Sequence, residues 1–219
     1  DQDILAGNWG LNTKFNASLD KPVTLYINDF DGNGSIETVM THFHGDKETA
    51  FSSKDELAKQ MPFLNKKFLF YKDFAKASLE ELFGRENLEK AAKRKVYLLE
   101  TSYFENDGKG NFSPKELPLI VQSSTVNDIY IDNNDEKTTN EILMVGNNFE
   151  ISTQLGRLDA SHGLVLQNDE EGNIYWKENL NISGAARKIE KVNRNGNEEL
   201  IITLNNDSPV FLIKKQNNK

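Results

Sequence analysis

A short polar motif that occurs twice constrains the fold more than any other feature of this sequence. "NDGKGNF" begins at Asn106 and "NDEEGNI" begins at Asn168, so the pattern Asn-Asp-x-x-Gly-Asn-apolar recurs after 62 residues. Each copy follows a strand-like run, "VYLLETSYFE" or "GLVLQ", which predicts a hairpin turn at both places. A motif that recurs at a fixed spacing indicates a repeat architecture.

A second pattern, an acid followed by an apolar burst and then Asn, supports the same period. It appears as "DILAGN", "EILMVGN" and "ELIITLN", which start at Asp3, Glu141 and Glu199. With a further strand such as "DIYI", a unit of about 60 residues holds about four short strands, the size of a propeller blade. The sequence therefore predicts an all-β fold, a partial β-propeller of about three blades of four-stranded antiparallel sheet, as a single domain over residues 1–219.

One stretch interrupts the strand pattern. "SKDELAKQM" and "SLEELFG" each place Glu three positions after a serine, at Ser53 and Ser78, which is the capping box of a helix start. Gly84 can end the second helix, and "ENLEKAAKRK" reads as a third. We therefore predict a helical insertion at about residues 53–95 within one blade, with its ends on adjoining strands. It either packs on the propeller or forms a partner-binding lid.

Composition excludes several classes of protein. The 219 residues carry a net charge of -8 without a broad basic face, which argues against nucleic acid as a partner. No apolar run approaches the roughly 18 residues of a membrane span. The chain has no cysteine, so it has no disulfide, zinc-thiolate site or cysteine nucleophile.

The loop "NDFDGNGSIE" is the densest group of possible metal ligands. A hard cation such as calcium takes six to eight oxygens, and alternate residues of a tight loop can point oxygens inward. The five expected ligand residues, with Ser35 offering its backbone carbonyl, are Asp29, Asp31, Asn33, Ser35 and Glu37.

Met40 occupies the position where an EF-hand has its last acid, so the loop is not an EF-hand. The alternative is a polar turn, but three carboxylates this close repel one another unless a cation joins them. We predict a structural calcium ion.

The pattern Asp-x-Asp-x-Asn-Gly-x-x-acid before a strand resembles the FG-GAP, or VCBS, repeat of β-propellers. "AGNWGLNTKF", "YFENDGKGNF" and "GRLDASHGLVL" are also similar, in that order, to the C-terminal region of VCBS-repeat proteins of the ASPIC/UnbV type from Bacteroidetes-like bacteria. The resemblance implies a large extracellular, cell-surface or periplasmic protein, so the rest of the same polypeptide is an expected partner. Asp3 lacks the loop that precedes the other bursts, which predicts a C-terminal piece of something larger.

Two further loops depart from this repeat pattern. Counting back from Glu141 and Glu199 places Lys137 and Lys191 among the earlier ligand positions. We therefore expect neither loop, 133–141 or 191–199, to bind calcium well.

Other polar groups suggest only weak candidate sites. "GRLDASHGL" brings Arg157, Asp159 and His162 into one segment, which predicts a ligand-binding or acid/base cluster or, alternatively, a polar connection between blades. "HFH" places His42 and His44 on one face of a strand, where a pair can bind a transition metal if a third ligand joins it.

Aromatic side chains complete the list of candidates. Trp9 and Trp176 could stack on sugars, although core packing is the preferred interpretation.

These observations favour a non-catalytic function. The chain is predicted to be a calcium-stabilised, extracellular interaction or glycan-binding module of a larger bacterial surface protein, with a protein or glycan as ligand. One alternative is a polysaccharide-active, lyase-like propeller enzyme centred on Arg157, Asp159 and His162. The other is a purely structural arc that holds neighbouring domains.

Overall fold

The computed structural model describes residues 2–132, 140–169, 171–194 and 196–213. The strands are β1 Ile4–Ala6, β2 Val23–Asn28, β3 Glu37–His44, β4 Lys47–Ala50, β5 Ala92–Val96, β6 Ser102–Asn106, β7 Phe112–Lys115, β8 Val126–Asp132, β9 Glu141–Gly146, β10 Leu164–Asn168, β11 Ile174–Asn179, β12 Ala186–Arg194, β13 Asn197–Leu204 and β14 Val210–Ile213. The α-helices are α1 Lys54–Gln60, α2 Phe63–Lys67, α3 Tyr71–Lys76, α4 Leu79–Phe83 and α5 Arg85–Lys90, and a 3-10 helix covers Leu119–Ser123. The prediction of a mostly β chain with antiparallel sheets is confirmed.

The chain forms two compact units where the sequence predicts a single domain. The repeat unit comprises Asp1–Lys14 and Glu100–Lys219, and the inserted unit comprises Phe15–Leu99. The reason lies in the chain path: β1 pairs with β6, and the whole inserted unit lies between these two strands in the sequence. The segment that interrupts the repeat is therefore longer than the helical stretch alone.

The repeat unit contains three sheets, with strand orders β1-β6-β7, β8-β9-β10-β11 and β12-β13-β14. We call them the first, second and third sheets. The three acid-and-apolar bursts form β1, β9 and β13, one in each sheet. Two of these sheets have three strands in the described residues instead of the uniform four that the sequence predicts.

Both copies of the repeated polar motif form hairpin turns, as predicted. The first joins β6 to β7, and the second joins β10 to β11. In each turn one Asp carboxylate accepts from the Asn four positions on: Asp107 from the Asn111 side chain (2.8 Å) and Asp169 from the Asn173 side chain (3.0 Å). The same Asp also accepts two backbone N–H groups of its own turn. The Asp and the second Asn of the motif therefore form the same hydrogen bonds in both turns.

These hydrogen bonds predict a local acid response. They lower the pKa of Asp107 and of Asp169, and in each case the largest cause is the Asn side chain. A carboxyl whose folded pKa is lowered contributes stability above its unfolded pKa of about 3.9, and that stability is lost as pH falls through the lower folded value. We expect Asn111→Ala to raise the pKa of Asp107, measured by NMR titration, while Asp169 in the unchanged turn serves as the internal control. An unchanged Asp107 pKa would contradict the assignment.

The second sheet is covered by apolar side chains on both faces. Ile142 and Met144 of β9 pack in one cluster with Leu5 of the first sheet. Their neighbours Leu143 and Val145 pack in another cluster with residues of the third sheet. Alternate residues of a strand point to opposite faces, so the continuous apolar run of β9 places the second sheet between the other two.

The end of the apolar burst is also buried. Asn147 has a left-handed backbone (φ 83°) and 3% exposure. Its side chain donates to the carbonyl oxygens of Ser161 (2.7 Å) and Gly184 (3.0 Å) and accepts from the Ser161 N–H (3.0 Å). The Asn of the burst pattern thus joins the β9–β10 loop to the β11–β12 loop at one end of the strands of the second sheet.

The inserted unit is a four-stranded sheet of order β4-β3-β2-β5 covered by the five helices. Its core combines Tyr26, Phe30 and Val39 from the sheet region with apolar residues of the helices, among them Leu57 and Met61. Among the described residues, no helix has the length and apolar character needed to cross a bilayer.

The predicted helical insertion requires two corrections. "ENLEKAAKRK" is helical only as far as Lys90, because Ala92–Val96 forms β5 and pairs with the edge of β2. The ends of the helical stretch do not lie on adjoining strands, since β4 and β5 form opposite edges of the sheet. Lysine and arginine favour a helix locally, but pairing with an otherwise open strand edge decides this segment.

The predicted helix starts at Ser53 and Ser78 are both present. The Ser78 hydroxyl accepts from the Glu81 N–H (3.1 Å), and the Glu81 carboxylate accepts from the Ser78 N–H (2.7 Å), which completes a capping box. Ser53 accepts from the Glu56 N–H at 3.3 Å. We expect Ser78→Ala to lower the free energy of unfolding by about 1 kcal/mol, and Ser78→Asn to lower it less, in urea denaturation. Equal losses in the two variants would contradict a capping role.

Candidate metal centre

The predicted metal loop connects β2 to β3, and the strand pair Asn28–Glu37 closes it. Asp29 anchors the turn, because its two carboxylate oxygens accept backbone N–H groups from Gly32 (2.7 Å), Asn33 (3.1 Å) and Gly34 (2.9 Å). These hydrogen bonds, that from Gly34 first, lower the pKa of Asp29. The carboxylate is therefore held ionised and oriented by the loop itself.

The two glycines give the loop its shape. Gly32 and Gly34 have φ values of 73° and 87°, in the region that favours glycine. A Cβ at either position would meet no atom within 4 Å, so the backbone conformation and not the available space requires glycine.

The base of the loop is fixed in the core of the inserted unit. Phe30 is 4% exposed, and its ring packs against Phe83 at 5.2 Å between centroids. Its backbone N–H donates to Glu37 Oε2 (2.9 Å), and its carbonyl oxygen accepts from the Asn87 side chain (3.0 Å). Glu37 is consequently a buried carboxylate with one oxygen engaged by a backbone donor.

Three carboxylates converge at this loop. One oxygen from each of Asp29, Asp31 and Glu37 lies within 4.8 Å of the other two. In the described part of the chain, this is the one group of three or more acidic, His or Cys side chains so arranged. Three of the five predicted ligand residues are therefore close together in the structure.

The neighbouring donors fit calcium. Asn33 Oδ1 accepts from the Ser35 N–H (2.7 Å), and an amide oxygen with one donor retains accepting capacity. With the Ser35 carbonyl and the three carboxylates, the donor set consists of oxygen alone, which suits calcium better than zinc or copper.

The two degenerate loops lie partly outside the described residues. This applies to 133–139, with Asn133, Asp135, Lys137 and Thr139, and to Asn195. In the β12–β13 hairpin, Lys191 Nζ lies 2.7 Å from Glu198, and Arg194 lies 3.7 Å from Glu199. These two acids already have cationic neighbours from the protein.

The predicted Arg157, Asp159 and His162 cluster is not a connected site. All three residues are exposed on the loop between β9 and β10. The Arg157 guanidinium lies over the Phe149 ring, 4.1 Å from its centroid. Among the described residues, none of the three side chains hydrogen-bonds to another, so a ligand-binding or acid/base role for them stays a prediction.

The histidine pair is divided between two environments. His42 packs edge-on against Phe15 and Phe51, both at 5.7 Å, and burial, then the neighbouring His44, lowers its pKa. His44 is exposed. In the residues that the structure describes, neither histidine belongs to a cluster of three possible ligands.

Trp176 was predicted to pack in the core, and this is wrong: the side chain is 47% exposed. It lies on β11, an edge strand of the second sheet, next to Tyr175, which is 44% exposed. The sequence does not reveal that β11 is an edge strand, so nothing in it predicts this exposure.

Comparison of the chain with models of protein families, with curated proteins and with solved structures finds no match.

Proposed function

We propose that this protein is a non-catalytic interaction module stabilised by one calcium ion in the loop between β2 and β3. The convergence of the Asp29, Asp31 and Glu37 carboxylates within 4.8 Å carries the proposal. Like charges at this separation repel, and a divalent cation converts the repulsion into attraction. Calcium would supply no chemistry beyond charge neutralisation and cross-linking of the loop.

The loop supports a structural role more than a catalytic one. Five residues offer oxygens toward the six to eight that calcium takes, so few coordination positions remain for a substrate. Glu37 is 4% exposed and accepts from the Phe30 N–H, so an ion bound to it would lie against the core of the inserted unit.

We further propose that the repeat unit is an arc of an FG-GAP or VCBS-type β-propeller in a larger bacterial protein, exported or exposed at the cell surface. The matching turn networks and the face-to-face packing of the three sheets support it. The remainder of such a polypeptide would be one partner, and a protein or glycan the other. Calcium outside the cell suffices for sites with affinities of roughly 10⁻⁴ to 10⁻³ M.

Calorimetric titration of metal-free protein with calcium chloride tests the metal site. We expect one binding event, with an affinity at least about tenfold lower in Asp31→Asn, because this change removes one of three charges and little volume. Asp46→Asn is the matched control: Asp46 lies on the next turn of the same unit and is paired with Lys21. Absence of binding to the unchanged protein, or equal binding by Asp31→Asn, would overturn the calcium site.

A separate test addresses catalysis. Incubation of the calcium-loaded protein with soluble polysaccharides is expected to release no shorter or unsaturated products. Product formation that disappears in Arg157→Ala or His162→Ala would replace the non-catalytic proposal with the lyase-like alternative.

A further inference from the structure

A cleft of about 470 Å³ lies in the repeat unit between its two equivalent hairpins. The β6–β7 hairpin contributes Tyr103, Glu105 and Lys115 to one side, and β11 with its preceding turn contributes the other side. Leu117 and Ile174 also line it and pack against the apolar cluster of the second sheet, so they form an apolar floor. The volume is in the range of small-ligand sites.

An exposed aromatic platform borders this cleft. Trp176 pairs with Leu166 across the sheet, and Leu166 belongs to the cluster that faces the first sheet. Trp176 therefore lies on the face that the cleft occupies, with 47% of its surface exposed. An indole ring in this position offers a flat apolar surface together with one N–H donor.

Several polar groups of the cleft already have an ion-pair or hydrogen-bond partner within the protein. Lys115 Nζ lies 2.9 Å from Glu105, and the Tyr103 hydroxyl donates to Asp3 (2.8 Å). Burial, followed by the bond to Asp3, raises the pKa of Tyr103 to about 12, so its hydroxyl stays neutral. The two further acids, Glu116 and Glu171, are exposed at the rim.

We propose that this cleft binds a short neutral oligosaccharide, with one sugar ring stacked on Trp176 and its hydroxyls bonded to the carboxylates at the rim. The inference rests on the proposed role as a non-catalytic binding module. A sugar ring combines an apolar face with hydroxyl donors, which matches an aromatic platform beside carboxylate acceptors. A cationic peptide is less favoured, because Glu105 already has a cation and the exposed rim acids are screened by salt.

The test is an immobilised panel of neutral oligosaccharides of glucose, galactose, mannose and xylose, with oligolysine as the cationic comparison. We expect at least one oligosaccharide to bind, with at least about tenfold weaker binding by Trp176→Ala. Trp176→Phe keeps an aromatic platform and is expected to retain most of the affinity. Phe112→Ala is the matched control, since it removes another exposed aromatic residue that does not line the cleft.

Tryptophan fluorescence provides a second readout. The chain has two tryptophans, so in a Trp9→Phe background the emission reports Trp176 alone. The bound sugar is expected to shift this emission. Absence of oligosaccharide binding, equal binding by Trp176→Ala, or salt-sensitive binding of oligolysine alone would overturn the inference, even if calcium binding persists. Binding followed by cleavage of the sugar would instead refute the non-catalytic function and leave the cleft assignment standing.

Discussion

Replacing Gly146 with alanine is expected to destabilise the repeat unit by about 3 kcal/mol or more. A Cβ at this position would lie 1.7 Å from the Thr125 carbonyl oxygen and 2.6 Å from its carbonyl carbon. Both are backbone atoms, so no side-chain rotation relieves the overlap. Gly146 ends β9, and Thr125 directly precedes β8. These two strands cannot move apart easily, because β9 pairs with β8 and β10 and packs on both faces.

Urea denaturation followed by tryptophan fluorescence measures this effect, since both tryptophans belong to the repeat unit. Gly172→Ala is the matched control. Gly172 has φ 86°, but a Cβ there would meet no atom within 4 Å, so only the strain of about 1–2 kcal/mol for a left-handed residue is expected. If Gly146→Ala lowered the free energy of unfolding no more than Gly172→Ala does, the close approach of Gly146 to the Thr125 backbone would be wrong.

The sequence predicts local features of this fold better than distant ones. Both polar hairpin turns, the helix starts at Ser53 and Ser78, and the strands at the apolar bursts depend on residues a few positions apart. The extent of the inserted unit was missed, because it depends on β1 pairing with β6 across the whole of residues 15–99. For the same reason β5 was assigned to a helix, since its partner β2 lies more than sixty residues earlier.

For the candidate sites too, features set by nearby residues could be predicted and those set by residues far apart in sequence could not. The approach of the Asp29, Asp31 and Glu37 carboxylates could be predicted because all five expected donors fall within nine consecutive residues. The cleft beside Trp176 could not be predicted, because its two sides come from hairpins in different sheets. Arg157, Asp159 and His162 are the converse case: they are near in sequence, but in the part of the chain that the structure describes no hydrogen bond or ion pair joins their side chains.

Calcium is expected to raise the stability of the inserted unit by about 2.7 kcal/mol when its free concentration is about one hundred times Kd. The proposed ion would bind the folded loop, in which the Asp29, Asp31 and Glu37 carboxylates lie together, and not the unfolded chain, in which they separate. Mass action then shifts the equilibrium toward the folded state. Circular dichroism of the helical signal is the suitable measurement, since the described α-helices all belong to this unit.

Asp31→Asn separates the two effects of the acidic loop. Without calcium the variant should be at least as stable as the unchanged protein, because one source of repulsion is gone while the Asn33 N–H keeps an acceptor at position 31. With calcium it should lose most of the gain. The unchanged protein would therefore be the less stable of the two in chelator and the more stable in excess calcium.

Identical melting curves in chelator and in calcium, for protein shown to start metal-free, would mean that the loop is a polar turn held by its own hydrogen bonds. A reversed order of stability between the unchanged protein and Asp31→Asn is the more specific result. A general effect of salt would change the stability of both proteins in the same direction.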